Sequence, residues 1–366
     1  MKRLKNKRVF LYAALFLLFF MKNIGGAASC LSIGNELTLN IPCVQYQGIS
    51  YNISVKYFSN PRDASSIYWK TESVSIASSQ DNQCLPISDE LRYYVPCVEY
   101  GGARFRLVSE YYKNPDDPFG LYWKIPSDAL FALPEQSPSG TGILTIGDES
   151  YNTSIVYYCP QALNENPGIL VYLHGDGESN PYVLMTRLEQ DFKAIADEKG
   201  LVVIAVVANN LGFRMVDSTG HYMTDDYYNT IDAIRLSYKT WAVNPYKTYL
   251  TGYSAGGPGA VMMSRSEIRQ NIRAANLWCG PYNAYALIPN DYSTQVPIRV
   301  VSNSGDGNYY SSFQQFGAMG NGSFGYWQIF LKKARHQIEV VDDTHIYGHQ
   351  FDSQSVREAC EWMLKK

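Results

Sequence analysis

Gly252-Tyr253-Ser254-Ala255-Gly256-Gly257 is the stretch on which the reading of this chain turns. It follows the β-forming run Lys247-Thr248-Tyr249-Leu250-Thr251 and precedes the small-residue run Pro258-Gly259-Ala260-Val261-Met262-Met263, so it reads as strand, sharp turn and helix. A G-x-S-x-G in that setting is a nucleophile elbow, in which glycines on both sides of Ser254 leave room for a strained turn that lifts its hydroxyl above the sheet. The helix behind it offers backbone N–H groups and a positive dipole end to a developing oxyanion. Small residues punctuate many loops, so the pentapeptide alone is a weak signal and its context carries the argument.

A serine hydroxyl becomes a nucleophile at neutral pH only when a histidine can take its proton and a carboxylate fixes that histidine's tautomer. Downstream, Val296-Pro297-Ile298-Arg299-Val300-Val301-Ser302 has the character of a buried strand, and Asp306 lies just past it. Ile338-Glu339-Val340-Val341 is another strand, followed by a loop with His345 and His349 and then a helix from about Ser353 to Leu364. Ser254, Asp306 and His349 each fall in a loop at the carboxyl end of a strand, where ligands bind on open α/β sheets. His345 competes with His349, which is preferred because Gly348-His349 stands nearer the last helix. Asp342 and Asp343 compete with Asp306 and are too close to the histidines in sequence. His221 and His336 carry no motif and read as surface residues.

From about Gly142 strands and helices alternate. Ile169 to Leu173 and Leu201 to Val207 are apolar strands, Tyr182 to Lys199 and Asp225 to Trp241 are helices, and Ala274 to Trp278 is a further strand. The alternation predicts an α/β fold, a mostly parallel sheet with helices on both faces. No Cys/His cluster has metal-ligand spacing and no Gly-rich phosphate loop occurs, so neither a metal nor a cofactor is expected.

Residues from about Tyr151 onward resemble the α/β-hydrolase superfamily, and within it the secreted feruloyl-esterase and polyhydroxybutyrate-depolymerase-like branch. The matching pieces are Tyr157-Tyr158-Cys159-Pro160, Leu173-His174-Gly175-Asp176-Gly177, Asn244-Pro245 leading into Tyr249 to Gly257, and Gly348-His349. The acid loop Ser302-Asn303-Ser304-Gly305-Asp306 lacks the His-Gly that often opens it in that branch. The resemblance implies an ester hydrolase with the triad Ser254, Asp306 and His349. It also implies an oxyanion hole from the N–H groups of Ala255 and Asp176, with Gly177 as the alternative to Asp176. His174 is expected to orient this loop rather than to act as acid or base. A serine peptidase of prolyl-oligopeptidase type would use the same triad, and an inert fold serving a surface-binding protein is the reading outside catalysis. Asn209 to Thr224 and Cys279 to Gln295, the latter with Tyr282 and Tyr285, are the loops expected to line the pocket.

Ahead of this region the chain repeats itself. Cys30-Leu31, Ile41-Pro42-Cys43-Val44, Asn60-Pro61 and Tyr68-Trp69-Lys70 recur 54 residues later as Cys84-Leu85, Val95-Pro96-Cys97-Val98, Asn114-Pro115 and Tyr122-Trp123-Lys124. Alternation such as Tyr51-Asn52-Ile53-Ser54-Val55-Lys56-Tyr57 predicts short antiparallel strands, hence two small all-β modules at 30–83 and 84–138 before a catalytic domain at 139–366. Units of this size commonly add a disulfide, and the cysteine spacing within each copy suggests Cys30 with Cys43 and Cys84 with Cys97. Tyr68, Trp69, Tyr122 and Trp123 read as core, with sugar-stacking platforms as the functional alternative. Pro134 to Gly142 has the composition of a linker.

Residues 1–29 combine Lys2, Arg3, Lys5, Lys7 and Arg8 with an apolar run from Val9 to Met21 and a small-residue zone, the pattern of an export signal. The apolar run is short for a transmembrane span. A lipidated Cys30 is the rival reading, opposed by Ala27 where leucine is usual and by the counterpart Cys84. The whole chain has 31 Lys+Arg against 34 Asp+Glu, and loss of the leader removes basic residues only. An acidic chain of this kind, secreted, periplasmic or at the cell surface, is a poor partner for nucleic acid or anionic membrane, and the resemblance implies an ester substrate, polymeric or polysaccharide-linked.

Overall fold

A computed structural model describes residues 30–34, 36–47, 49–60, 62–63, 66–77, 85–87, 91–100, 103–126, 130–133, 137–148, 151–164, 166–209, 213, 215, 223–280, 296–302, 305–306, 331 and 336–366. Residues 1–29, Cys84, His221, Tyr282 and Tyr285 lie outside these residues, as does most of each expected pocket loop. The chain forms two compact units, Met1–Ser137 and Pro138–Lys366. Among the described residues no helix is long and apolar enough to cross a membrane.

The first unit contains β1 (Leu31–Ser32), β2 (Thr38–Tyr46), β3 (Ile49–Phe58), β4 (Ile67–Ile76), β5 (Leu85–Pro86), β6 (Arg92–Tyr100), β7 (Ala103–Tyr112), β8 (Tyr122–Ile125) and β9 (Leu130–Ala132). They make one sheet in the order β1-β6-β7-β8-β4-β3-β2-β5, with β9 beside β7. This differs from two self-contained modules, because the repeats exchange their first strands. β1 lies parallel to β6, Leu31 beside Val98, and β5 lies parallel to β2, Leu85 beside Val44. The copies meet where β4 and β8 run antiparallel with Trp69 opposite Trp123, so equivalent residues face each other across a pseudo-two-fold. The same symmetry relates Lys70–Asp117 at 2.9 Å to Lys124–Asp63 at 3.3 Å, and Tyr68 Oη–Asp63 to Tyr122 Oη–Asp117, both 2.8 Å. A single copy would leave its β4 or β8 edge unpaired, and joining the two edges satisfies those backbone groups. Tyr68, Trp69, Tyr122 and Trp123 are buried at this junction and serve as core.

Strand exchange also corrects the expected disulfides. Cys30 immediately precedes β1 and bonds Cys97 in β6, with Cα atoms 4.7 Å apart, rather than Cys43. Cys43 is disulfide-bonded as well, and its partner lies outside the described residues. The expected pairs were drawn within each copy because local spacing was the guide, whereas parallel pairing of β1 with β6 brings distant cysteines together. Non-reducing peptide mapping should therefore recover a fragment joining Cys30 to Cys97, and the repeat symmetry extends this to a second cross-repeat bridge from Cys43 to Cys84. A Cys30–Cys43 fragment would contradict the exchange.

The second unit contains β10 (Gly140–Asp148), β11 (Tyr151–Cys159), β12 (Gly168–Leu173), β13 (Leu201–Val206), β14 (Thr248–Tyr253), β15 (Ile272–Trp278), β16 (Ile298–Ser302) and β17 (Ile338–Asp342). Their order in the sheet is β10-β11-β13-β12-β14-β15-β16-β17. β10 and β11 are antiparallel to their neighbours, and β12 to β17 are parallel. β12 and β13 are buried at every position, as strands covered on both faces must be, which is why they read as continuous apolar runs.

Helix α1 (Pro181–Arg187) passes through a π-helical turn, Leu188–Phe192, into α2 (Lys193–Lys199). Asn180 caps its start by accepting from the Tyr182 N–H at 2.9 Å, and left-handed Gly200 ends it. Leu184, Leu188, Phe192, Ile195 and Ala196 line its inner face and pack with Val356, Ala359, Cys360 and Met363 of α5 (Ser353–Met363) against Leu170, Tyr172 and Trp278. The opposite face carries α4 (Gly256–Met263), where Gly259 sits close against the Leu173 side chain. Helix α3 (Asp225–Thr240) lies between β13 and β14 in the chain. Helices thus cover both faces, and the carboxyl ends of β14, β16 and β17 open on one rim.

Candidate active site

Ser254 follows β14 directly and adopts φ +50°, a left-handed conformation that a residue with a side chain holds only under local constraint. Its N–H donates to the Trp278 carbonyl at 3.0 Å and its carbonyl accepts from Gly257 N–H at 3.0 Å. The flanking glycines are steric necessities: a Cβ at Gly252 would overlap the Gly256 carbonyl, and one at Gly256 would overlap the Leu173 carbonyl. Gly256 therefore lets α4 start against the end of β12, bringing the elbow beside the His174-Gly175-Asp176-Gly177 loop. A Cβ on Gly175 would stand 3.1 Å from the Ser254 Cβ.

That loop is held from behind. His174 is fully buried; its Nδ1–H donates to Gly175 O at 2.8 Å and its Nε2 accepts from the Ala208 N–H at 3.1 Å. Burial pushes its pKa below the ordinary imidazole value, and both nitrogens are spent on backbone, which makes it an orienting residue. Glu178 accepts from Tyr172 Oη at 2.7 Å, from Gly175 N–H at 3.2 Å and from Arg187 at 2.9 Å, tying the loop to β12 and α1. Asp176 itself is exposed and Gly177 is left-handed at φ +85°. Ala255 is the residue immediately before α4.

Asp306 lies just beyond β16 and is buried at 1% exposure. Its Oδ1 accepts from His349 Nδ1 at 2.9 Å and its Oδ2 accepts from the Ser302 hydroxyl at 2.9 Å. His349 follows β17 in a loop anchored by Phe351. That ring stacks on Trp278 at 4.6 Å with a 9° tilt, meets Tyr253 edge-on at 5.0 Å and lies 4.8 Å under the Arg187 guanidinium. Burying such a ring contributes about 2–3 kcal/mol, enough to hold a loop of this length. Tyr253, next to Ser254, donates its hydroxyl to the His349 carbonyl at 2.6 Å, and their rings are 5.2 Å apart. Serine, histidine and aspartate, 95 residues apart at their extremes, thus converge on one rim.

The competing residues pair with one another. His345 Nδ1 lies 2.5 Å from Asp343 and its Nε2 lies 3.5 Å from Asp352 and 3.4 Å from the Ser355 hydroxyl. The Asp342 side chain lies outside the described residues. His336 is not a surface residue. It is 7% exposed, its Nδ1 donates to Val296 O at 2.8 Å and its Nε2 stands 3.5 Å from Arg265, and burial pushes its pKa down.

Several residues at the site carried no signal of the role they play. Ser302 could have been noticed as the polar end of an apolar strand, four residues before the acid. Phe351, Tyr253 and Glu178 act through contacts between distant segments, which no local spacing records. Cys279, at the end of β15, is 3% exposed, has φ +52° and lies beside Asp306.

No protein-family model matches the chain. It is 25% identical over 150 residues to an acetylxylan esterase of Coprinopsis cinerea, a match spanning 39% of this chain and 39% of that protein. Among solved structures it is similar to a poly(3-hydroxybutyrate) depolymerase from Bordetella parapertussis, with 13% identity, a TM-score of 0.46 and coverage of 63% of this chain and 92% of that one. An S-formylglutathione hydrolase from Agrobacterium tumefaciens gives 15% identity and a TM-score of 0.45 over 63% of this chain and 97% of that one. The unit's own architecture speaks more directly: the second strand is followed in the sheet by the fourth, then the third and the fifth to eighth in order, a strained serine turn follows the fifth strand, an acid the seventh and a histidine the eighth. That order of strands and loops is the order of the α/β-hydrolase fold, which the carboxy-terminal unit of this chain adopts.

Proposed function

We propose that this chain is a serine hydrolase of carboxylic esters, exported through its first 29 residues, with Ser254 as nucleophile, His349 as general base and acid, and Asp306 as the group that orients the imidazole. The observation that carries the reading is the buried Asp306 carboxylate accepting from His349 Nδ1 at 2.9 Å, since this bond leaves Nε2 as the nitrogen able to take a proton. Ser254 adds to the ester carbonyl while its proton passes to Nε2. The N–H groups of Ala255 and Asp176 receive the developing oxyanion, and the tetrahedral adduct collapses as the histidine returns the proton to the leaving alcohol. Water then repeats the sequence to release the acid and free Ser254. No step calls for a metal or an organic cofactor.

The acetylxylan esterase similarity supports an ester carried on a polysaccharide as the substrate class, with the repeat unit holding the polymer near the hydrolase unit. The test is turnover of the purified protein on acetylated polysaccharide, feruloyl esters, polyester film and peptide amides. A chain starting at or just before Pro138, whose carbonyl accepts from Trp241 Nε1 at 2.8 Å, is expected to keep its rate on small soluble esters and to lose rate on insoluble polymer. Cleavage of amides in place of esters would overturn the reaction class. A folded truncation without activity on soluble esters would overturn the division of labour.

A further inference from the structure

We propose that Cys279, Asp306 and His349 together form a binding site for a thiophilic divalent cation, Zn²⁺ or Cd²⁺, and that occupation of this site switches the hydrolase off. The thiol sulfur, a carboxylate oxygen and an imidazole nitrogen all lie within 4.8 Å of one another, the one group of this kind among the described residues. Sequence spacing hides the set, because its members come from the loops after β15, β16 and β17.

Cys279 is placed there by backbone. Its N–H donates to Val301 O at 2.9 Å, fixing the end of β15 against β16, and its left-handed φ of +52° matches that of Ser254 at the end of the neighbouring strand. Two side-chain-bearing residues in that conformation at adjacent strand ends are a cost the fold bears at its functional rim. The Cys279 thiol lies within hydrogen-bond reach of Asp306, and its Sγ stands 3.6 Å from the Gln350 carbonyl. The other free thiols among the described residues differ. Cys159 faces its neighbour's carbonyl at 3.4 Å, and Cys360 is buried in the apolar core under α5.

One sulfur, one nitrogen and one oxygen match the donor types of tetrahedral zinc, whose bond lengths of about 2.0–2.3 Å set ligand atoms roughly 3.3–3.8 Å apart. With all three atoms within 4.8 Å of one another, the longest separation would need to shorten by at most about 1 Å, and Asp306 Oδ1 and His349 Nδ1, now 2.9 Å apart, to part by less than that. The His349 side chain is 36% exposed, so an ion has an approach from solvent, and water would complete the shell.

The step balances without any change of oxidation state. The Cys279 thiol gives up its proton to solvent and its sulfur bonds the cation, while the proton on His349 Nδ1 moves to Nε2 as Nδ1 becomes a ligand. One proton leaves per cation bound. Inhibition follows from the tautomer: Nε2 now carries the proton and cannot accept the one from Ser254, and Asp306 is drawn from the imidazole to the metal. This consequence rests on the proposed role of His349 as base.

The experiment titrates CdCl₂ into the full chain and follows two signals, the ultraviolet thiolate-to-cadmium charge-transfer absorption and the hydrolysis of a soluble ester. Absorption should rise and activity fall with a shared midpoint, and EDTA should restore both. Cys279→Ser should abolish the absorption and raise the inhibitory concentration by at least about tenfold relative to its own uninhibited rate, while Cys159→Ser leaves both unchanged. Should Cys279→Ser fail to fold, proton release from the unaltered chain in weak buffer gives the answer, with one proton per cation expected and none overturning the site. Equal inhibition of Cys279→Ser and the parent chain would also overturn it. Absorption that saturates while activity persists would instead leave the site standing and overturn both the switch and the role of His349.

Discussion

Ser254→Ala is expected to lower kcat on a soluble ester by about 10⁶-fold while leaving the protein folded, and His349→Ala to do the same within an order of magnitude. The two losses should not add, because nucleophile and base act as one unit and the residual rate comes from the oxyanion groups and binding. The fold survives Ser254→Ala because the left-handed turn is imposed by Gly252, Gly256 and the Trp278 carbonyl, not by the hydroxyl. His345→Ala separates the two histidines. That side chain is committed to Asp343, Asp352 and Ser355, so its loss should cost about 1–2 kcal/mol of stability by removing one partner of the buried Asp343, which still accepts from the backbone N–H at position 345 and from the Ser355 hydroxyl, with most activity kept. Thermal melts and initial rates on the three variants are the measurement. Full activity in Ser254→Ala would sink the serine mechanism, and loss in His345→Ala with survival in His349→Ala would exchange the two histidines.

What could be read in the sequence was what local sterics and periodicity dictate. Gly252 and Gly256 are visible as a motif because both stand where any Cβ would strike backbone. β12 and β13 are visible because a strand covered on both faces admits only apolar residues. The duplication is visible because two copies kept the same Cys, Pro and Trp positions, but the way they join is not. Which strand β1 pairs with depends on a partner 67 residues away, so a reading of local spacing put Cys30 with Cys43 and missed Cys97. His336 failed for a related reason. A histidine's burial depends on what packs over it, and Val296 and Arg265 lie far from it in the chain. Ser302, Glu178 and Phe351 shape the site only through tertiary contacts, and none has a residue type that announces its role.

Asp306, the proposed acid, offers the second large effect. Asp306→Asn keeps shape and volume, yet is expected to lower kcat by about 10⁴-fold with little change in KM. Both carboxylate oxygens now accept, Oδ1 from His349 Nδ1 and Oδ2 from the Ser302 hydroxyl. A carboxamide has one oxygen and one NH₂, and it must turn one of them to each partner. With NH₂ toward the imidazole, Nδ1 must accept, the ring proton moves to Nε2, and the nitrogen facing the nucleophile is already protonated. With oxygen toward the imidazole, the correct tautomer returns and the Ser302 hydroxyl can turn to accept from the NH₂, but the charge that stabilises the imidazolium is gone. Ser302→Ala measures what that hydroxyl contributes. Alone it removes one hydrogen bond from a carboxylate and should slow turnover by about tenfold or less. Combined with Asp306→Asn it leaves the orientation of the carboxamide to the imidazole alone, so the double variant should stay within about tenfold of Asp306→Asn. Asp343→Asn is the control, since that carboxylate serves His345 and should spare activity. A loss of under about tenfold in Asp306→Asn, or a loss in Asp343→Asn as large as that in Asp306→Asn, would mean that Asp306 does not set the tautomer of the catalytic histidine.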